Sequence, residues 1–176
     1  KEVDHGPIIA LQVVSIDKTD DFITLSHKLS RVGAEILCQT LPEWISGLLK
    51  PIEQDHTKAT YTKIIKKEDG RIDWRTHADE IMNKMRAYTL WPSCWTELKI
   101  ENSNKRVKIF SAQKGKHIRS DAESGSISIE NNNELWVATS DFYLMITELQ
   151  LEGKNRISAE EFIAGYNRSI NGALFK

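Results

Sequence analysis

One side chain near the start of this sequence has the type and setting that catalysis requires. Asp4 precedes Gly6 and a nearly continuous apolar run from Ile8 to Ile16. A carboxylate just outside a buried strand, followed by a glycine that permits a tight turn, is where α/β sheets place catalytic groups. The structural alternative is an aspartate that starts a turn by bonding its own backbone. Asp4 is therefore a catalytic candidate, with a structural role in starting a turn as the alternative.

Basic side chains in two clusters form the second candidate site. Residues 102–120 carry six of them and no acid, and these are Lys105, Arg106, Lys108, Lys114, Lys116 and Arg119. The other cluster comprises Lys63, Lys66, Lys67 and Arg71. Basic strands and loops can follow a phosphate backbone, although a solvated face balanced by acids elsewhere is the alternative. Nearby tryptophans could stack on bases, but their periodic surroundings favour packing in a core.

Composition excludes several other classes of protein. The 24 basic and 25 acidic residues give a net charge of −1, so nucleic acid could be bound only by a local patch. Five histidines lack metal-ligand spacing, and Cys38 and Cys94 form no CxxC motif. No apolar run is long enough to span a membrane. We therefore expect no metal, no disulfide framework, no membrane segment and a reducing compartment.

Periodicity predicts the elements that must position these groups. Residues 8–16 predict a strand buried on both faces. Residues 19–21 predict the N-cap of a helix that follows them, and Pro42 is expected to begin a new turn. After an aperiodic stretch, Thr76 and Asp79 predict a capping box for a second helix. Period-2 alternation then predicts five antiparallel strands near 95–100, 107–110, 126–130, 135–138 and 142–151, with a hairpin loop at 101–104. Ser158 and Glu161 predict a capping box for a last helix, and the whole suggests a small barrel.

Four segments carry a family resemblance, in order and at fitting spacing along essentially the whole chain. They are DHGPI at residues 4–8, ATYTKIIKKEDGRIDW at 59–74, RAYTLWP at 86–92 and GKNRISAEEF at 153–162. Together they resemble the methionyl-tRNA formyltransferase family of folate-dependent formyltransferases.

The resemblance implies an α+β fold in three parts. Residues 1–48 would be a remnant strand–helix from the end of a Rossmann-like formyltransferase catalytic domain, and residues 49–70 a linker. Residues 71–176 would form a small OB-like antiparallel β-barrel with flanking helices, facing the tRNA. The missing N-terminal catalytic half would precede Lys1, so the chain looks cut from a longer protein that is expected to be a monomer.

The same resemblance implies a function. The family transfers a formyl group from 10-formyltetrahydrofolate to the amino group of initiator methionyl-tRNA, without a metal. Of its catalytic Asn, His and Asp, only the Asp can be placed here, on Asp4, so this chain alone is expected to be inactive. Binding of tRNA would fall to the basic residues Lys63, Lys66, Lys67, Arg71, Lys105, Arg106 and Lys108. The bacterial cytoplasm is a more natural location than the mitochondrial matrix.

Two alternatives stay open at the level of the sequence. One is a paralogous folate-dependent formyltransferase or a formyl-folate hydrolase, neither of which needs a basic linker. The other is a stand-alone RNA-binding barrel without catalysis.

Overall fold

The computed structural model describes residues 3–100, 103–117, 122–131, 133–170 and 172–176, with the backbone alone at 167–169. These residues form two units, divided between Ile64 and Ile65. The first unit contains helix α1 (Phe22–Ile45) and a 3₁₀ turn (His56–Lys58). The second begins with a 3₁₀ turn (Lys67–Gly70), followed by α2 (Ala78–Ala87), β1 (Cys94–Ile100), β2 (Ser103–His117), β3 (Ile127–Glu130), β4 (Glu134–Ala138), β5 (Phe142–Leu151), β6 (Arg156–Ser158) and α3 (Ala159–Ile170). None of the helices in the described ranges is long and apolar enough to cross a membrane.

Helix α1 forms as predicted because a reciprocal cap starts it. The Thr24 amide donates to the Asp21 carboxylate at 2.8 Å, and the Asp21 amide donates to the Thr24 hydroxyl at 2.9 Å. Pro42, expected to begin a new turn, lies instead inside the end of the helix. No residue of α1 is buried, although apolar side chains line one face.

The strand predicted over residues 8–16 is wrong. Ile8 makes a single antiparallel bridge with Ile52, in which each amide donates to the other carbonyl at 2.8 Å. Beyond that bridge, Leu11 and Val13 are 74% and 84% exposed. An apolar run becomes a buried strand only where neighbouring strands accept its hydrogen bonds, and within the described residues Ile52 is the only such neighbour.

The second unit is built on one antiparallel sheet with the strand order β1-β2-β5-β4-β3. The five predicted strands are confirmed, but β2 is longer than expected and β6 was not predicted. Strand β4 pairs with β5 over residues 143–146, and β6 pairs with the same edge of β5 further on, over 148–150. Ser103 already pairs with Ile100, so the predicted loop at 101–104 is shortened; residues 101 and 102 lie outside the described part of the chain.

Residues 172–176 hydrogen-bond to both edge strands of this sheet. At β1, the Glu97 amide donates to the Lys176 carbonyl at 3.1 Å, and the Lys176 amide donates back at 2.9 Å. At β3, the Ile127 amide donates to the Ala173 carbonyl at 2.9 Å. One short segment thus supplies backbone partners to both edges, in addition to the Ile72 amide that donates to the Trp95 carbonyl of β1.

The core lies between the inner face of the sheet and helices α2 and α3. Phe162 of α3 and Phe175 are both fully buried, and the Trp74 ring stacks on Phe175 with the centroids 5.6 Å apart. The Trp74 indole N–H donates to the Thr96 hydroxyl at 3.0 Å, so the polar edge of this buried ring is satisfied. The strands contribute alternate residues to the core: Leu98, Val107, Ile109, Leu135, Val137, Leu144, Ile146 and Leu149.

The capping box predicted for α3 is confirmed. The Ser158 amide donates to the Glu161 carboxylate at 2.8 Å, and the Glu161 amide donates to the Ser158 hydroxyl at 3.1 Å. These bonds hold the pKa of Glu161 below its ordinary value. A strong local signal therefore sets the start of this helix.

The capping box predicted for α2 is wrong. The Thr76 hydroxyl donates to the Asp73 carbonyl at 2.8 Å instead of capping the helix. The Ala78 amide donates at 2.8 Å to the carboxylate of Asp141, in the turn between β4 and β5. The Asp141 carboxylate thus caps the helix in place of the predicted Thr76 side chain. Residue spacing along the sequence could not predict this cap, because Asp141 is distant in the chain.

Candidate nucleic-acid interface

Trp95 of β1 is the centre around which basic side chains of the second unit gather. Its ring is 6% exposed, and its indole N–H donates to the Lys67 carbonyl at 3.0 Å. The Arg106 guanidinium carbon lies 4.3 Å from the ring centroid, and that of Arg71 lies 5.8 Å away. Cation–π attraction of this kind orients both guanidinium groups on the surface of the sheet. Trp95 is mostly buried, as its periodicity predicted, but its ring also faces the basic cluster.

Strand register explains why these residues meet. Neighbouring strands place directly paired residues on the same face, and Lys108 pairs with Trp95 while Arg106 pairs with Glu97. Lys105 pairs with the buried Leu98 and so lies on the opposite face of β2. The three basic residues that the sequence grouped on this strand are therefore separated by the pleat, and only Arg106 and Lys108 share the face of Trp95.

Backbone contacts hold the 67–72 segment against β1 and bring Arg71 into the cluster. The Ile72 amide donates to the Trp95 carbonyl at 2.8 Å. Gly70 packs so closely on β1 that a Cβ there would lie 2.2 Å from the Ser93 carbonyl oxygen. Only glycine fits this approach, and it fixes the position of the next residue, Arg71.

The cluster is positively charged but partly compensated. The Arg71 guanidinium lies 3.8 Å from the Glu97 carboxylate, and both groups are more than a third exposed, so this pair contributes about 0–1 kcal/mol. The Arg106 amide donates to the Glu152 carboxylate at 3.2 Å, while its side-chain Nε is buried without a hydrogen-bond partner. Within the described residues, the Lys108 ammonium makes no hydrogen bond or ion pair. Arg106 and Lys108 therefore keep donors available for an anion.

Two residues extend this face that the sequence analysis did not single out. Gln150 of β5 pairs with Lys108, and Arg156 of β6 pairs with Gln150, so one row crosses four strands from Trp95 to Arg156. The Arg156 guanidinium forms an ion pair with Glu148 and lies 4.4 Å from the Phe110 ring centroid. Only the tertiary pairing of β6 brings Arg156 here.

The remaining basic residues are less closely gathered. Lys66 and Lys67 are exposed at the 3₁₀ turn, where the Lys66 amide donates to the Asp69 carboxylate at 2.7 Å. Lys63 belongs to the first unit, and Arg119 lies outside the described residues. Lys114 and Lys116 pair with Asp79 and Glu130 at the far end of β2. The structure thus brings Arg71 and Arg106 together at Trp95, with Lys108 on the same face. Lys67 contacts Trp95 through its backbone carbonyl, and Lys105 lies on the other face.

Asp4 lies in an exposed turn of the first unit. Its backbone has a φ of 63°, which aspartate tolerates better than most residues. The Gln54 side-chain amide donates to the carbonyls of Asp4 and Gly6 at 2.8 and 2.6 Å. The His5 and His56 rings stack beside this turn, with their centroids 5.3 Å apart. The turn is therefore observed, although no hydrogen bond between the Asp4 carboxylate and its own backbone is seen among the described residues, and a catalytic role for the carboxylate stays a prediction.

Other reactive groupings in the described ranges are structural. Ser140 and Asp141 both approach Nδ1 of His77, at 3.4 and 3.1 Å, so the imidazole cannot relay a proton between them. Burial raises the pKa of the Cys94 thiol to about 11, which leaves it protonated and unreactive at neutral pH. The described residues contain no group of three or more His, Cys, Asp or Glu that could hold a metal ion.

Comparisons with known proteins agree on one family. Residues 64–167 match the C-terminal domain of formyl transferases. The methionyl-tRNA formyltransferase of Bacillus velezensis is 39% identical over 95% of this chain and 51% of its own length. That of Bacillus licheniformis is 36% identical over 94% and 51%. The chain spans about half the length of these curated relatives.

Solved structures support the same fold at lower identity. A crystal structure of HypX from Aquifex aeolicus superposes with a TM-score of 0.67 at 16% identity, covering 97% of this chain and 30% of that one. HypX has also been crystallised in complex with tetrahydrofolic acid. Since the matched domain spans more than half of the sequence, the chain belongs to the formyl transferase family and contains its C-terminal domain.

Proposed function

We propose that this chain is the C-terminal part of a methionyl-tRNA formyltransferase and that its main contribution is to bind tRNA. The observation that carries this proposal is the 36–39% identity to proteins of that name over almost the whole chain. The cluster around Trp95 supplies the chemistry, because cations on one face can neutralise successive phosphates. The partners are then initiator methionyl-tRNA and the catalytic half of the enzyme, in a bacterial cytoplasm, with a monomeric full-length protein.

The finer architecture follows from the same proposal. Residues 1–48 are the end of a Rossmann-like catalytic domain, 49–70 are a linker and 71–176 form an OB-like barrel. The hydrogen bonds of residues 172–176 to both edge strands support a closed or nearly closed barrel. The exposed apolar face of α1 supports a helix that packs on a larger domain.

Asp4 is proposed as the catalytic residue in this chain, where it would help to accept the proton that the attacking amine releases. The Asn and His that complete the family's trio have no assigned positions here. Because residues of one catalytic unit act together, Asp4 without them cannot sustain the reaction. The 176-residue chain is therefore expected to show no formylation of methionyl-tRNA, and measurable transfer by the purified chain would contradict this assignment.

The formyl donor, 10-formyltetrahydrofolate, does not fit the cavity between residues 71–75 and 174–176 of the second unit. A cavity of about 390 Å³ is lined by Arg71, Arg75 and Lys176 around Trp74 and Phe175. Both rings are about 97–98% buried and stacked on each other, so neither offers an open face to a pterin. No step of the reaction is assigned to this cavity, and the donor is expected to bind elsewhere in the full-length enzyme.

Binding of tRNA is tested by measuring affinity against salt. If Arg71, Arg106 and Lys108 each neutralise one phosphate, the slope of log K against log [salt] is about −2 to −3. Affinity should then fall by about 20- to 40-fold between about 50 and 200 mM salt. Filter binding with initiator tRNA measures this, and a salt-independent affinity would refute the electrostatic mechanism.

A further inference from the structure

A groove beside the Trp95 cluster has the features of an anion-binding site. It has a volume of about 240 Å³ and lies between β2 and the turn that joins β5 to β6. Its lining consists of Arg106, Lys108, Gln150, Leu151, Glu152 and Gly153. The backbone of this turn is tied to β2, because the Glu152 amide donates to the Arg106 carbonyl at 2.8 Å.

Neither cation of the groove has an acidic partner for its side chain within the described residues, and Arg106 is held against the Trp95 ring. Arg106 and Lys108 are two residues apart on one strand face, which separates their Cα atoms by about 7 Å. The Arg106 guanidinium packs on the Trp95 ring, and its buried Nε has no hydrogen-bond partner. Lys108 has no acidic partner among the described residues, although it lies between Trp95 and Gln150 in register. The Arg106 and Lys108 side chains therefore carry N–H donors that no carboxylate of the described residues occupies.

The charge of the groove suits a singly charged anion. Two cations and the Glu152 carboxylate leave one net positive charge, which one phosphodiester would neutralise. The mouth of the groove is open at Gly153, where the backbone has a φ of 75° and a Cβ would meet nothing within 4 Å. The Gln150 side-chain amide donates to the Lys154 carbonyl at 2.8 Å and so holds the turn that forms the far wall.

We propose that this groove binds one backbone phosphate of RNA between Arg106 and Lys108, with Trp95 orienting the guanidinium. The proposal rests on the proposed function and makes it more specific, because it assigns contact to one face of β2 and excludes Lys105. It also gives Trp95 a positioning role rather than one in base stacking, since the ring is almost wholly buried.

The experiment compares Lys108→Gln with Lys105→Gln in the 176-residue chain. Both side chains leave the same strand, but only Lys108 faces the groove. Loss of one phosphate contact should lower the affinity for initiator tRNA about five- to eightfold at about 0.1 M salt and reduce the salt slope by about 0.7–0.9. Lys105→Gln should change neither quantity, and circular dichroism should show both variants folded.

The outcomes separate this proposal from the proposed function. If the unsubstituted chain binds tRNA with a steep salt dependence but the two variants weaken binding equally, the proposed phosphate site in the groove is refuted. The proposal that the chain binds tRNA is then still supported. If the unsubstituted chain does not bind, both are overturned. If poly-glutamate binds at the groove and Lys108→Gln abolishes that binding while tRNA affinity is unchanged, the site recognises an acidic peptide and the RNA assignment is wrong.

Discussion

Replacing Asp141 by Asn should destabilise the second unit because this carboxylate caps α2 from another element. Its oxygens accept hydrogen bonds from the amides of Ala78 and Phe142 at 2.8 and 2.9 Å and from the Thr139 hydroxyl at 3.0 Å. Burial alone would raise the pKa of Asp141, but these bonds and the nearby His77 outweigh it and lower the pKa from 3.8 to about 2. Asn has the shape of the protonated acid, so it keeps the geometry and loses the charge.

The size of the effect follows from that pKa. A shift of nearly two units corresponds to about 2 kcal/mol of free energy of unfolding. Because the folded-state pKa is the lower one, the contribution is complete above the unfolded value of 3.8 and is lost as the pH falls through about 2. Asp141→Asn should therefore cost about 2 kcal/mol at pH 7 and less than about 0.5 kcal/mol at pH 2.

Urea unfolding followed by tryptophan fluorescence measures this difference at each pH. Asp79→Asn is the matched control, since Asp79 stands in the first turn of the same helix and its carboxylate is 69% exposed in a pair with Lys114. That change should cost less than about 1 kcal/mol. An Asp141→Asn penalty of the same size at pH 7 and pH 2 would refute the proposed role of the charge.

Three further predictions test packing and reactivity. Gly115→Ala should cost about 1–3 kcal/mol and lower the Tm, because a Cβ would lie 2.0 Å from the Trp136 ring. Gly165→Ala in α3 is the control, since a Cβ there meets nothing within 4 Å and should not destabilise the protein. Equal Tm values for the two variants would contradict this prediction. A thiol reagent at neutral pH should modify one cysteine per folded chain, the exposed Cys38, and leave the buried Cys94 until urea is added; rapid modification of both would be inconsistent with its burial. Trp95→Phe should cost about 1 kcal/mol or more in urea unfolding through loss of the indole bond to the Lys67 carbonyl; no loss of stability would show that this bond contributes nothing.

Local signals in the sequence predicted much of this fold. The capping box of Ser158 and Glu161, the caps at Asp21 and the period-2 strands all depend on residues within a few positions of each other, and the structure confirms them. The α2 cap and strand β6 depend on distant partners, which spacing cannot reveal. The strand predicted at 8–16 fails for the same reason, because an apolar run does not indicate whether a neighbouring strand is present.

Composition predicted which basic residues could form the candidate site but not how those residues are arranged. Charge counting found Arg71, Arg106 and Lys108, yet it also placed Lys105 with them, and only strand register separates that residue from the others. Trp95 carried a core pattern, and its contacts with guanidinium groups arise from the pairing of β1 with β2 and with the 67–72 segment. No sequence pattern placed Gln150 or Arg156 at this site, although Arg156 lies within the segment at residues 153–162 that carries the family resemblance.

The pairing of residues 172–176 with both edge strands has a consequence for synthesis on the ribosome. The Thr96 hydroxyl of β1 donates to the carbonyl of Lys176, 80 positions later in the chain. A nascent chain that has already released β1 to β5 therefore still exposes the edge of β3 and the part of the β1 edge around Glu97, to which chaperones or other nascent chains can bind. Truncation before residue 172 would leave strands β1 to β6 translated, with the β3 edge and the Glu97 part of the β1 edge still open.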